Sequence, residues 1–279
     1  MAKQIDPRLY QIAVLASLLA YGAIWLDFGV SWGHIAVVLA TCLATQFVCT
    51  RSCRLPRYDP RSALISGLSL SLLMRTAHPA LAVIAAVVTI SSKFLIRIDD
   101  RHIFNPTNFG LVVMMCLTDQ VWVSPGQWGS VAFFGFLLAC LGGIVVNRAA
   151  RSDVTYAFLA FYLTIIVART LWLGYPISIS LHQLQSGGLV LFAFFMISDP
   201  KTTPDSRAGR VAFALLVAAG AAYVQFAMYR PSGLLWSLVV SSLTVPVINR
   251  YLPGACYTWA APQEGHRPLS DASAPVSVT

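Results

Sequence analysis

The 279-residue chain is 57% hydrophobic and only 11% charged, against roughly a quarter charged in soluble domains, so a water-soluble surface is excluded. Its apolar blocks are about the length needed to cross a hydrocarbon core of roughly 30 Å as helices, and the alternating strands of about ten residues that build an outer-membrane barrel do not occur. The formal charge of +8 sits in short loops between the blocks, which reads as topology signalling and not as a nucleic-acid surface.

In chain order the first half holds blocks at residues 9–28, 30–49, 62–74, 80–96 and 105–117. The first has no small-residue cleavage site and is followed by more blocks, so it reads as a membrane helix and not as a signal peptide. The third is short and carries Ser66-Gly67-Leu68, running on to His78-Pro79; the fifth is entered through Asn105-Pro106-Thr107. The second half holds blocks at 128–146, 154–173, 184–197, 211–229 and 233–248. Its short third block carries Ser186-Gly187-Gly188 and runs to Asp199-Pro200, and its last is entered through Arg230-Pro231-Ser232. From Pro253 onward the chain turns to Pro, Ser and Ala with scattered charge, which predicts a disordered cytoplasmic tail over 253–279.

Placing successive loops on alternate sides puts sixteen of the nineteen Lys and Arg on one side and only Arg75, Arg169 and Arg230 on the other. By the positive-inside rule both termini are then cytoplasmic. Five blocks per half means the second half enters from the opposite side. The expectation is an all-α membrane protein of about ten transmembrane segments, a 5+5 inverted repeat in one membrane domain over 1–252, with halves at about 8–119 and 127–252. Short Gly/Pro-interrupted segments at matching places in two such halves point to a binding site where the halves meet.

The densest polar text lies in two predicted cytoplasmic loops. In the first, Asn105 is a good N-cap, Pro106 suits the first helical position and Gly110 permits close backbone approach. A helix start aimed at a site offers free N–H groups and partial positive charge, and Asn105 and Asn108 would present amides on one face. Capping and inter-helix hydrogen bonding in lipid is the competing reading. In the second loop Asp199 before Pro200 reads as a turn, and Lys201 and Arg207 read as topology signals or as contacts to lipid phosphate or a donor protein.

The remaining chemistry is thin. The six cysteines form no C-x-x-C pair and no zinc-spaced set with histidine. No two histidines sit deep on facing helices as a bis-His haem wants. Walker, Rossmann and nucleophile-elbow motifs do not occur, and no carboxylate lies at mid-depth as an ion-driven carrier usually needs.

The two loops are where the chain resembles a known family, that of the RnfD subunit of the Rnf electron-transport complex and the NqrB subunit of the sodium-translocating NADH:quinone reductase. The carrying text is Ser92-Lys93 with Arg97, then His102-Ile103-Phe104-Asn105-Pro106 to Phe109-Gly110. Ser186-Gly187, Phe194 to Pro200, Arg207 to Arg210 and Leu243 to Ile248 complete it. The resemblance implies a membrane flavoprotein with a fold related to urea channels, working with other membrane or membrane-anchored redox subunits in the bacterial cytoplasmic membrane. It also implies a riboflavin or FMN held non-covalently between helices, and an FMN joined through phosphate to a threonine of a Ser/Thr-Gly-Ala-Thr motif.

Gly-Ala-Thr occurs nowhere in this chain, so the covalent FMN is expected to be missing, leaving either an internal flavin that passes electrons to a separately flavinylated extracytoplasmic partner or a family member that has lost redox chemistry. The expected non-covalent site comprises Ser66, Gly67, Asn105, Pro106, Asn108, Ser186, Gly187 and Asp199, with no metal and no nucleic acid. Two other functions stay open: a channel or transporter for a small neutral or flavin-like solute, and an assembly scaffold for a redox complex.

Overall fold

The computed structural model describes residues 6–26, 28–98, 101–124, 152–184 and 186–257. In chain order these form α1 (Pro7–Ile24), α2 (Trp32–Ser52), α3 (Arg61–Leu73), β1 (Met74–Thr76), α4 (Pro79–Leu95), β2 (Arg97–Ile98), β3 (Arg101–His102), α5 (Pro106–Leu117) and β4 (Val121–Val123). Then follow α6 (Ser152–Leu173), α7 (Ile177–Leu184), α8 (Gly187–Leu191) with a π-helical turn Phe192–Met196, α9 (Arg207–Phe226), α10 (Gly233–Ser242) and α11 (Val245–Tyr251). Nine of the ten predicted blocks fall on these helices; the block at 128–146 and the tail from 258 lie outside the described residues.

Among the described residues three helices, α2, α6 and α9, are long and apolar enough to cross a membrane. The pairs α7 with α8 and its π-turn, bent by 52°, and α10 with α11, bent by 51°, raise the count to five if each is one broken span. The rest are shorter: the 13 residues of α3 reach only about 20 Å at 1.5 Å per residue. Such a segment stops inside a bilayer unless other protein covers its ends, and α3 is covered. Its chain turns into β1, which pairs antiparallel with β4 through Arg75↔Trp122. Arg75 donates to the carbonyls of Ser71, Leu72 and Met74 at 3.3, 3.2 and 2.8 Å, closing the carbonyls that a helix end leaves open.

Helix starts follow capping chemistry. Ser31 accepts from the His34 N–H at 3.1 Å and Ser206 from that of Gly209 at 3.1 Å. Inside the helices, hydroxyls bond back to carbonyls one turn earlier, as Thr50 does to Gln46 and Ser242 to Leu238, which keeps polar side chains satisfied without water.

The helices pack as two groups. One joins α1, α2, α3, α4 and α5, the other α6, α9 and α10, and α5 against α10 links them. Small residues let the backbones close up: a Cβ on Gly110 of α5 would overlap the Thr89 hydroxyl of α4, and one on Gly220 of α9 would overlap that of Ser237 on α10. Close backbone approach of this kind replaces the hydrophobic drive that lipid removes. At the start of the first group, Arg8 pairs with Asp59 at 2.6 Å and Arg61 with Asp6 at 2.6 Å, tying the first turns of α1 and α3 into a four-charge box.

Candidate functional site

The site is built around the first turn of α5. Asn105 caps it, its Oδ1 accepting from the Asn108 N–H at 3.1 Å, with Pro106 at the first helical position. The rings of Phe104 and Phe109 stack at 4.9 Å, the contact between the residue before the cap and the fourth of the helix that sets the angle of chain entry. The Asn105 amide then reaches the second polar loop, donating to the Met196 carbonyl at 3.5 Å and to Asp199 Oδ2 at 3.4 Å.

Further bonds lock the two loops. Arg101 on β3 holds both Asp205 carboxylate oxygens at 2.9 Å and reaches the Pro200 carbonyl at 3.4 Å. His102 Nε2 lies 3.8 Å from Asp199 Oδ2. Burial alone would raise the Asp199 carboxyl. The His102 imidazole, the Lys201 backbone N–H at 3.1 Å and the Lys201 charge overcome that and hold it below the ordinary carboxylate value.

Between the loops lies a cavity. One wall is the serine line of α3, Ser62, Ser66 and Ser69, with Arg8 beyond it; another is Asn105, Pro106 and Thr107; the third runs from Phe194 to Lys201. That third wall begins in the π-helical turn, where the Ile197 N–H reaches back to the Phe192 carbonyl at 3.0 Å. The extra residue of such a turn re-aims side chains and is frequent at functional sites. Here Phe194 and Phe195 line the cavity.

Of the eight residues expected from sequence, Ser66, Asn105, Pro106 and Asp199 line this cavity. The other four stand elsewhere. Gly67 faces α2, where a Cβ would lie 2.9 Å from Leu39 Cδ2, so it serves helix packing. Asn108 is buried behind the cap and donates to the Leu235 carbonyl of α10 at 3.1 Å, with its own Oδ1 buried and unpartnered among the described residues. Ser186 stands at the N-cap position of α8 without a capping bond from its side chain, and Gly187 is the first residue of that helix, buried at its far end from the π-turn.

Sequence reasoning passes over Ser62 and Ser69, yet the spacing 62, 66, 69 places three hydroxyls on one helical face inside an apolar block and is a usable signal. The aromatic pair carries no such sign, because only the π-turn aims it. Lys93 also escapes. The sequence reading puts it with the loop charges, but it belongs to the last turn of α4, 7% exposed, and donates to Ser62 Oγ at 3.2 Å.

A flavin ring needs donors and acceptors at its edge for its carbonyls and imide and apolar cover on its face. The lining carries both kinds of group, in a cavity of about 110 Å³ that would receive a ring edge and not a whole ligand of the size that pockets of roughly 300 Å³ or more enclose. Donors come from the Asn105 amide and serine hydroxyls, and Phe194 and Phe195 supply cover. The Ser69 hydroxyl makes no hydrogen bond among the described residues, and the Ser62 hydroxyl accepts from Lys93 but donates to none of them, so both have a proton to give. No cluster of His, Cys, Asp or Glu fit to hold a metal occurs among the described residues.

Residues 113–257 match the NQR2, RnfD, RnfE family. Over 158 aligned residues the chain is 28% identical to proteins named as the subunit lettered D of an ion-translocating oxidoreductase complex, from Salmonella paratyphi B, Salmonella newport and Salmonella heidelberg. Each alignment covers 53% of this chain and 42% of the relative, so the match spans less than half of those proteins' length.

Proposed function

The chain belongs to the NQR2, RnfD, RnfE family, and from that membership we propose that it is a membrane subunit of an ion-translocating electron-transport complex that holds one non-covalent flavin. The observation that carries this reading is the cavity where the two polar loops interlock, walled by α3 and the α5 cap on one side and the π-turn on the other. The second loop lies within the matched residues 113–257 and the first stands before them. The cavity walls come from α3 and α5 of one helical group and from the π-turn, which packs on α6 of the other.

Each lining residue then has a task. Asn105, Ser62, Ser66 and Ser69 bind the polar edge of the ring, riboflavin or FMN, and orient it. Phe194 and Phe195 cover its face and exclude water. Asp199, kept ionised by its neighbours, fixes the Asn105 amide. When bound, the flavin supplies one- and two-electron chemistry, and the protein supplies position and electrostatics.

In this reading the helices form ten spans in two inverted halves within the bacterial inner membrane, both termini cytoplasmic. The loops at the cavity face cytoplasmic or membrane-anchored redox partners. A separately flavinylated extracytoplasmic protein takes the place of the missing Gly-Ala-Thr threonine.

The test is the colour of the full-length protein purified in detergent from riboflavin-replete cells. Flavin absorbance that bleaches with dithionite, and that falls several-fold in Asn105→Leu at unchanged yield, is expected. Colourless, flavin-free protein overturns the reading, and solute uptake by that protein alone in proteoliposomes would make it a channel or transporter instead.

A further inference from the structure

Lys93 is a cation in the wrong place for a topology signal. It lies on an apolar helix, 7% exposed, and has no carboxylate partner among the described residues. An unpaired charge in such surroundings is costly, and membrane proteins keep one where it serves a site. Its sole side-chain hydrogen bond among the described residues runs to Ser62 Oγ at 3.2 Å, and Ser62 lines the cavity.

The direction of that bond decides what Ser62 does. An ammonium can only donate, so the Ser62 oxygen uses a lone pair on Lys93 and keeps its own proton to give. The Ser62 hydroxyl donates to no group among the described residues, and the open space beside it is the cavity. Of the other charges nearby, Arg8 is paired with Asp6 and Asp59, while Asp199, held beside His102 and the Lys201 N–H, also attracts Lys93 and offsets part of its charge.

We propose that Lys93 and Ser62 form a charged donor relay that makes the cavity bind the reduced, negatively charged form of the flavin more tightly than the oxidised form. This rests on the flavin reading above. A flavin ring that takes two electrons from a donor redox protein and one proton from water carries one net negative charge. With a flavin bound, Ser62 would offer its hydroxyl proton to the ring edge, and Lys93 would hold that hydroxyl in place and add positive charge behind it. Lys93 is therefore a positioning residue acting through Ser62, and a charge near the ring's edge is a lever that proteins use to set flavin potential.

The experiment is a spectroelectrochemical titration of the full-length protein as wild type, Lys93→Met, Lys93→Arg, Ser62→Ala and the Lys93→Met/Ser62→Ala pair, with flavin content measured on each. Lys93→Met is expected to weaken the preference for the reduced ring on the order of tenfold, read as a more negative midpoint potential at near-normal flavin content. Lys93→Arg keeps most of the preference. Ser62→Ala gives an intermediate loss, and the double variant adds little to Lys93→Met because both changes break one relay. Bound flavin with an unmoved potential in Lys93→Met overturns the relay and leaves the flavin site standing, whereas flavin-free wild type overturns both. Should Lys93→Met fail to fold, an unmoved potential in Ser62→Ala overturns the relay by itself.

Discussion

Asn105 and Asn108 are three residues apart and do different work. Asn105 caps α5 with its carbonyl oxygen and crosses to the second loop with its amide. Asn108 turns its amide toward α10. Asn105→Leu is expected to cost about 1 kcal/mol through the lost cap and to remove flavin binding. Asn108→Leu leaves the Leu235 carbonyl without this donor, about 1–3 kcal/mol, and is expected to lower Tm in detergent more than Asn105→Leu while disturbing flavin less. Equal losses of flavin in both variants would contradict this division.

Asp199 supports a pH prediction at the same scale. Its folded-state pKa lies below the ordinary carboxylate value, so its stabilising contribution is present above that value and is lost as pH falls from there toward the folded one. Thermal unfolding followed from neutral to acid pH is expected to show a loss of Tm below the ordinary carboxylate range that Asp199→Asn flattens. A variant with the same pH profile as wild type would deny Asp199 that role.

Among the helices, close approach and end-tying hold the bundle. Gly110→Leu places a side chain where Thr89 already stands, and overpacking of this kind costs about 1–3 kcal/mol. The α4–α5 contact carries the Asn105 cap into place, so Gly110→Leu is expected to lower both Tm and flavin content, with partial recovery in a Thr89→Ala background. No recovery would mean that the strain lies elsewhere.

The four-charge box at the start of α1 and α3 gives a second prediction about how elements are tied. Burial alone would raise the Asp59 carboxyl, but hydrogen bonds from Arg61 and Arg8 bring it down to about 2. The box therefore stabilises fully above the ordinary carboxylate value of about 3.9 and loses that contribution as pH falls toward 2. With side chains 13–34% exposed, solvent screening limits each pair to about 1 kcal/mol or less. Asp59→Asn is expected to lower Tm by a few degrees at neutral pH, and less at high salt.

For the molecule as a body in the bilayer, the charge bias makes a directional prediction. Single cysteines placed at Arg57 and Arg230 in a Cys-free background should react with a membrane-impermeant thiol reagent from opposite faces of spheroplasts, Arg57 only after lysis. Labelling of both from outside would overturn the ten-span arrangement, which demands that these loops lie apart.

Much of this is legible in the chain because hydropathy reports segment length and lipid compatibility directly. The helices at Trp32–Ser52, Ser152–Leu173 and Arg207–Phe226 need no further information, and neither does the Asn105-Pro106 helix start, whose capping is local. The matched polar loops are visible too, and they do meet. Gly67 reads as site lining but packs on α2, since a glycine's sequence context does not say which neighbour approaches it. Lys93 reads as a loop charge by its nearness to one, but one more helical turn buries it.

Composition, block length and charge spacing point to a helical membrane protein whose polar chemistry gathers in two loops, because a chain 57% apolar, with long apolar blocks and no alternating strands, leaves helices as the way to cross lipid. Which side chains face one cavity is settled by helix packing alone. The π-turn aims Phe194 and Phe195, α10 takes Asn108 away, and α4 brings Lys93 behind Ser62. Those are long-range placements, and a local pattern of residues does not encode which faces will meet.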